Sequence, residues 1–212
     1  SGKSTQSALL EKKIGYKHIS WGKIIRNIMN NKFGSEDDKR IVLNNIKHNF
    51  PFPEKYIKKN ILQNLAQELE TGTKNFVIDG FPRKTQEVKE CIEIIEELDL
   101  HLKCVISVAC TEATMFKRIE SRKYCQECGR SFNDIFRPKK EGTCDFDQGK
   151  LVRRIADEPN IVKERIKEYL NETTSAIQLL SSMSESFFPV NGDQDESLVS
   201  IDIITRLTVK RS

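Results

Sequence analysis

The sequence predicts an α/β fold, a parallel sheet flanked by helices, and three observations predict it. Short apolar strands alternate with amphipathic helical stretches along the chain. The connections between strands are long enough to be the helical crossovers that parallel strands require. The strand Asn75–Ile78 carries an apolar, β-branched run that ends at Asp79. That pattern delivers a carboxylate to the C-terminal edge of a sheet, where open α/β sheets bind ligands.

In chain order, Ser4–Lys13 reads as a helix and Lys17–Ile19 as a short strand. Helices follow over about 22–31 and 36–47. Beyond Phe50-Pro51-Phe52-Pro53 a longer helix spans Glu54–Glu70 and is ended by Thr71-Gly72. After the strand at Asn75–Ile78 comes a helix over Lys84–Leu98, with Cys91, Ile94, Ile95 and Leu98 on one face. Lys103–Val108 is the next strand and Glu112–Ser121 the next helix. Tyr124–Lys150, rich in Cys, Gly, Asp and Lys, breaks the rhythm and reads as a compact insertion with its own staple. The helical pattern resumes over Glu158–Leu180, followed by a strand at Phe187–Val190, a turn at Asn191-Gly192 and a last helix from about Ser197.

A chain of 212 residues forms one core domain with room for small insertions and folds without disulfides. Its net charge of +4 is mild, which suits anionic substrates and is no nucleic-acid signature. No apolar run approaches the roughly 18 residues of a membrane span. Three of the six cysteines cluster at metal-ligand spacing, which points to a reducing compartment, the cytoplasm or an organelle.

Gly2-Lys3-Ser4 matches the end of a G-x-x-x-x-G-K-[ST] phosphate loop, in which backbone N–H groups and a helix N-terminus wrap phosphates while the Lys neutralises them. The chain opens inside this motif. The expectation is that a first strand and the front of the loop lie upstream of Ser1, and that the 212-residue piece alone is poorly active. The second motif is Val77-Ile78-Asp79-Gly80-Phe81-Pro82-Arg83. Asp79 suits a role beside Mg²⁺, Gly80 permits close backbone approach, and Arg83 offers a bidentate phosphate grip. A plain strand-terminating turn is the alternative for this string. The third motif is Cys125-x2-Cys128 followed, after residues 129–143, by Cys144-x2-Asp147, two knuckles at zinc-site spacing. Asp145 is a rival fourth ligand. A filled tetrahedron leaves no open position, so such a metal would be structural.

Together these strings resemble the adenylate kinase family of nucleoside monophosphate kinases. The resemblance rests on Gly2-Lys3-Ser4-Thr5-Gln6, His18-Ile19-Ser20-x-Gly22 with Arg26, Asp79-Gly80-Phe81-Pro82-Arg83, Arg118-Ile119 with Arg122, the run Arg154 to Asp157, and Arg165. It implies a P-loop-type core over residues 1–19, 53–121 and 155–212, a helical monophosphate-binding insertion over 20–52, and a zinc-knuckle LID over 122–154. It further implies that Lys3 and the amides of Gly2, Ser4 and Thr5 hold the ATP phosphates. Arg26 and Arg83 clamp the acceptor, with Trp21, Phe52, Gly80 and Gln86 beside it. Arg118 and Arg122 lie along the ATP and the transferred group, and Arg154 and Arg165 close from the far side. Gly192 lines the adenine, and Asp79 supports Mg²⁺ indirectly. The reaction implied is ATP + AMP = 2 ADP, with Mg²⁺ entering with ATP and a structural Zn²⁺ on Cys125, Cys128, Cys144 and Asp147. The partners implied are ATP and AMP or another monophosphate, acting on a monomer without nucleic acid or membrane. A ring of arginines around a water-excluding site is what phosphoryl transfer asks of a protein.

The sequence departs from the family at four places. Trp21 stands where the family has Thr, Lys23 where it has Asp, and Ala156 removes one acid of an Arg-x-Asp-Asp string. The position that reads the acceptor adenine, four after Arg83, is Glu87, with Gln86 one earlier. A one-residue slip turns a helical side chain by about 100 degrees. Two alternatives to the AMP kinase follow: a diverged, weak or inactive nucleotide-binding relative, or a kinase for UMP or CMP or with GTP as donor. A zinc-knuckle nucleic-acid binder is disfavoured, because the knuckle lacks a basic-aromatic surface of its own.

Overall fold

The computed structural model describes residues 2–48, 50–134, 137–153 and 157–208, apart from the side chains of 159, 160, 164, 165 and 168. The chain opens with α1 (Lys3–Ile14), entered from Gly2 at φ 92° and closed by Gly15 at φ 74°, whose N–H donates to Glu11 O. Both glycines take the left-handed conformation that only glycine adopts without cost. Next come β1 (Lys17–Ser20), α2 (Trp21–Met29), α3 (Glu36–His48), α4 (Glu54–Glu70) and β2 (Phe76–Asp79). The second half runs α5 (Thr85–Glu97), β3 (Cys104–Ala109) and α6 (Glu112–Glu120). After three short strands come α7 (Pro159–Glu168), a π-helical turn at Tyr169–Thr173, α8 (Thr174–Ser182), β7 (Ser186–Asn191) and α9 (Glu196–Thr208).

All core pairing is parallel, as the helical crossovers require. β1 pairs with β2, Ser20 beside Asp79, and β3 pairs with β7, Ala109 beside Asn191. Among the described residues the parallel strands form two two-stranded pairs. Side chains rather than a backbone ladder join them. Leu10 of α1, Val77 of β2, Ile106 and Val108 of β3, Val190 of β7 and Val199 and Ile203 of α9 form one apolar cluster. The larger core lies on the other side, where Ile24 and Ile28 of α2, Val42 of α3, Ile57, Ile61 and Leu65 of α4, and Cys91 and Ile94 of α5 are all buried. Their helical spacing is why these segments fold as amphipathic helices.

The insertion is a three-stranded antiparallel sheet, β5 (Ser131–Phe132), β4 (Lys123–Cys125) and β6 (Leu151–Val152), in that spatial order. Its core, among the described residues, is Cys125, Phe132, Cys144 and Leu151. Among the described residues no helix is long and apolar enough to cross a membrane.

Candidate active site

The parallel register brings the C-terminal ends of β1 and β2 together under the start of α1. Asp79, buried at the end of β2, accepts a hydrogen bond from Ser4 Oγ in the first turn of α1. His18 Nε2, also buried, lies 3.6 Å from the same Asp79 oxygen. Burial pushes the Asp79 carboxyl up, but His18, the Ser4 hydroxyl and the charge of Lys3 together outweigh it and hold the group below its ordinary value. A carboxylate, a hydroxyl, a lysine and a helix N-terminus thus converge on one spot. This is an arrangement that could hold a phosphate chain with its cation.

The chain then turns sharply. Gly80 sits at φ 82°, and a Cβ there would stand 3.3 Å from Arg83 Nη2. Arg83 Nε donates to Gly80 O at 3.0 Å and leaves the guanidinium exposed. Glu87 is buried, and its Oε2 accepts the N–H groups of Arg83 at 2.6 Å and Lys84 at 3.3 Å. Its carboxylate therefore caps α5 and fixes the Arg83 backbone. Gln86, one residue earlier, points to solvent.

Trp21 is buried in the apolar core rather than lining an open pocket. Its ring lies edge-on to Phe52 at 5.3 Å and to Tyr56 at 6.2 Å. Arg26, one turn along α2, is half-buried, and burial pulls its guanidinium below the ordinary value despite Tyr124, Cys128 and Asp79 nearby. Lys23 is exposed.

On the other strand pair, Arg118 Nη1 donates to Gly192 O at 2.7 Å, which ties α6 to the turn after β7. Asp193 accepts the Thr111 N–H at the N-terminus of α6. Arg122 makes a two-point pair with the buried Asp157, Nε to Oδ2 at 2.8 Å and Nη2 to Oδ1.

In the insertion, the ligand atoms of Cys125, Cys128, Cys144 and Asp147 all lie within 4.8 Å of one another. Cys128 and Cys144 sulfurs are 3.7 Å apart, and Cys125 Sγ lies 3.2 Å from Asp147 Oδ1. Zinc–sulfur bonds of about 2.3 Å give tetrahedral sulfur–sulfur edges of about 3.8 Å, so the donor set fits zinc. The two knuckles repeat one geometry. Gly129 N–H donates to Cys125 O and Gln148 N–H to Cys144 O, while Cys125 N–H donates to Arg130 O and Cys144 N–H to Gly149 O. Gly129 and Gln148 both take positive φ, 71° and 60°. This internal match puts Asp147 where the first knuckle has Cys128. Asp145 instead accepts the Lys139 N–H at 2.8 Å, outside the cluster. A Cβ on Gly149 would stand 2.6 Å from Cys125 Sγ, so the second turn needs glycine to approach the donors.

The family model described as adenylate kinase matches residues 1–185. The chain belongs to the adenylate kinase family. It is 31% identical to the adenylate kinase of Phytoplasma australiense over 99% of this chain and 94% of that protein. It is 29% identical to that of Oceanobacillus iheyensis, over 99% and 95% of the two chains. With that of Listeria innocua it shares 27% identity over 96% and 92%. Membership makes the chain a phosphotransferase.

Within this adenylate kinase frame the structure brings Lys3, Ser4 and Asp79 together and sets Arg83 beside Gly80. It also joins Arg118 to Gly192. Gly2 takes the left-handed turn before α1, Thr5 lies exposed in that helix, and Phe52 is half-buried against Trp21. Arg154 lies outside the described residues, as does Ala156; Arg165 sits on α7, whose backbone alone is described there. Three residues to which pattern reading assigned no role shape the site: His18 beside Asp79 and Asp157 under Arg122, both seen there only as parts of longer strings, and Asp193 at the start of α6. A polar residue inside the apolar strand Lys17–Ile19 was the available signal for His18. Asp157 and Asp193 act across long sequence separations that no local pattern encodes.

Proposed function

We propose that this chain is an ATP-dependent nucleoside monophosphate kinase that transfers the γ-phosphoryl group of ATP to AMP, giving two ADP. The observation that carries this reading is the convergence of Lys3, Ser4 Oγ and ionised Asp79 at one helix N-terminus, with the exposed guanidinium of Arg83 leaving the same strand. Lys3 and the α1 amides hold the donor phosphates. Arg26 and Arg83 hold the acceptor phosphate in line, and Arg118 and Arg122 stabilise charge on the transferring group, with Arg154 and Arg165 completing the ring. Ser4 and Asp79 are the residues that would hold magnesium entering with ATP, and the ion would supply charge neutralisation there. The Cys125, Cys128, Cys144 and Asp147 set holds a structural zinc ion that gives the insertion the rigidity of a lid closing over the site, excluding water. The enzyme acts as a monomer in a reducing compartment.

A second reading concerns the acceptor base. The Glu87 carboxylate is taken up in capping α5, and Trp21 is taken up in packing against Phe52 and Tyr56. Both observations favour an acceptor preference shifted away from AMP, or a weak enzyme. Assaying the full protein with Mg-ATP against AMP, UMP, CMP and GMP separates these readings, and rapid conversion of AMP is expected. Tight ATP binding with no turnover of any acceptor would overturn the kinase reading.

A further inference from the structure

Arg26 reaches out of its own helix onto the cysteine knuckle. A Cβ placed on Gly129 would lie within 2.7 Å of Arg26 Cζ and Nη2 and closer still to Nε. The guanidinium therefore rests on the bare backbone of Gly129, where any side chain would push it aside. On its other side a Cβ on Gly22 would stand 3.4 Å from Arg26 Nη1. At the C-terminal end of α2, its capping residue Asn30 donates through Nδ2 to Gln126 O at 3.4 Å. Arg26 on α2 and Asn30 at its end thus both face the Gln126–Gly129 turn, which carries the second ligand, Cys128. Among the described residues no carboxylate lies within ion-pair distance of Arg26, which leaves its charge for an anion.

We infer that Gly129 is a positioning residue for Arg26: the knuckle is the seat that aims this guanidinium at the acceptor phosphate. The lid's metal-type cluster thereby sets acceptor affinity as well as lid integrity. This rests on Arg26 being an acceptor clamp, as proposed above. Coupling of this kind explains why the tight turn after Cys128 faces α2 rather than solvent. It also separates Gly129 from Gly142, a second lid glycine at φ 75° whose Cβ would meet nothing within 4 Å.

The two glycines make a matched pair. Alanine at either carries the same left-handed strain, but only Gly129→Ala pushes on Arg26. Steady-state kinetics should show KM for AMP raised about tenfold or more in Gly129→Ala, the scale of losing one charge-assisted contact. KM for ATP should stay within about twofold, and Gly142→Ala should leave both within about twofold, well below that scale. In an Arg26→Ala background, Gly129→Ala should add no further rise. Equal effects of the two glycine variants, or additive losses in the Arg26→Ala background, overturn the inference. Wild-type protein that turns over no monophosphate would sink the clamp reading instead. The seat is then tested by hydrogen exchange without nucleotide: α2 amides should exchange faster in Gly129→Ala than in Gly142→Ala, and equal rates overturn it. Should Gly129→Ala not fold, wild-type protein with AMP alone decides, because α2 and Gln126–Gly129 must gain protection together. Protection of α2 without the turn overturns the seat.

Discussion

The helical layer around α2, α4 and α5 and the small lid sheet sit against each other at Arg26, yet they are held by opposite means. The first is an apolar core in which Ile24, Ile28, Ile61, Leu65 and Ile94 are almost wholly buried, with Trp21 at its edge. The second has, among the described residues, Phe132 and Leu151 as its buried carbon-rich side chains, and the other half of its core is Cys125 and Cys144. Area burial can stabilise the former. The latter is too small for that, and the proposed zinc on its ligand cluster is what would hold it, as in metal-stapled modules. The two regions should therefore fail for different reasons.

Removing the metal breaks the comparison most widely. Cys144→Ser, or chelation of the wild type, should unfold the lid alone, because structural zinc contributes roughly 10 kcal/mol or more in small modules. Metal analysis should find less than about half an equivalent of zinc in the variant, with helical circular dichroism nearly unchanged. A full zinc complement in Cys144→Ser would contradict the ligand set. In the opposite region, Trp21→Ala should cost about 3–5 kcal/mol in denaturant unfolding while zinc content stays intact. Arg83→Ala tests a residue that belongs to neither core: kcat should fall about 10²–10³-fold, with ATP affinity and melting temperature almost unchanged. Strongly weakened ATP binding would contradict its acceptor-side role.

Two smaller effects sharpen the picture. Asp79 has a folded-state pKa below its ordinary value, so its stabilising contribution is complete above about pH 4 and is lost as pH falls through the folded value. Asp79→Asn should therefore flatten the acid limb of a stability–pH curve and leave its neutral limb parallel to wild type. Burial pushes the Cys91 thiol up to about 12, and the Cys128 thiol is raised as far, so access decides between them: at pH 8 the buried Cys91 should resist alkylation that the exposed Cys128 accepts once chelation has unfolded its turn.

The sequence made the element order legible because apolar spacing directly records which face of each segment is buried. The knuckles were equally legible, since ligand spacing within a tight turn is local. What escaped was set by contacts distant in the chain. The helical pattern over Glu158–Leu180 gave no sign of the π-helical turn at Tyr169–Thr173. The choice between Asp147 and Asp145 needed the backbone repeat of the two turns. Glu87 looked like a slipped base reader, and its capping of α5 became visible only with the backbone N–H groups of Arg83 and Lys84 in place.

Trp21 is the only tryptophan in the chain. Every photon of indole emission from this protein therefore originates at one place, between the Gly80 turn and the rings of Phe52 and Tyr56. The indole stands where α2 leaves β1, and any movement of α2 against α4 would alter what surrounds it. Stopped-flow fluorescence of the unlabelled protein can time that movement directly, on mixing with each nucleotide in turn.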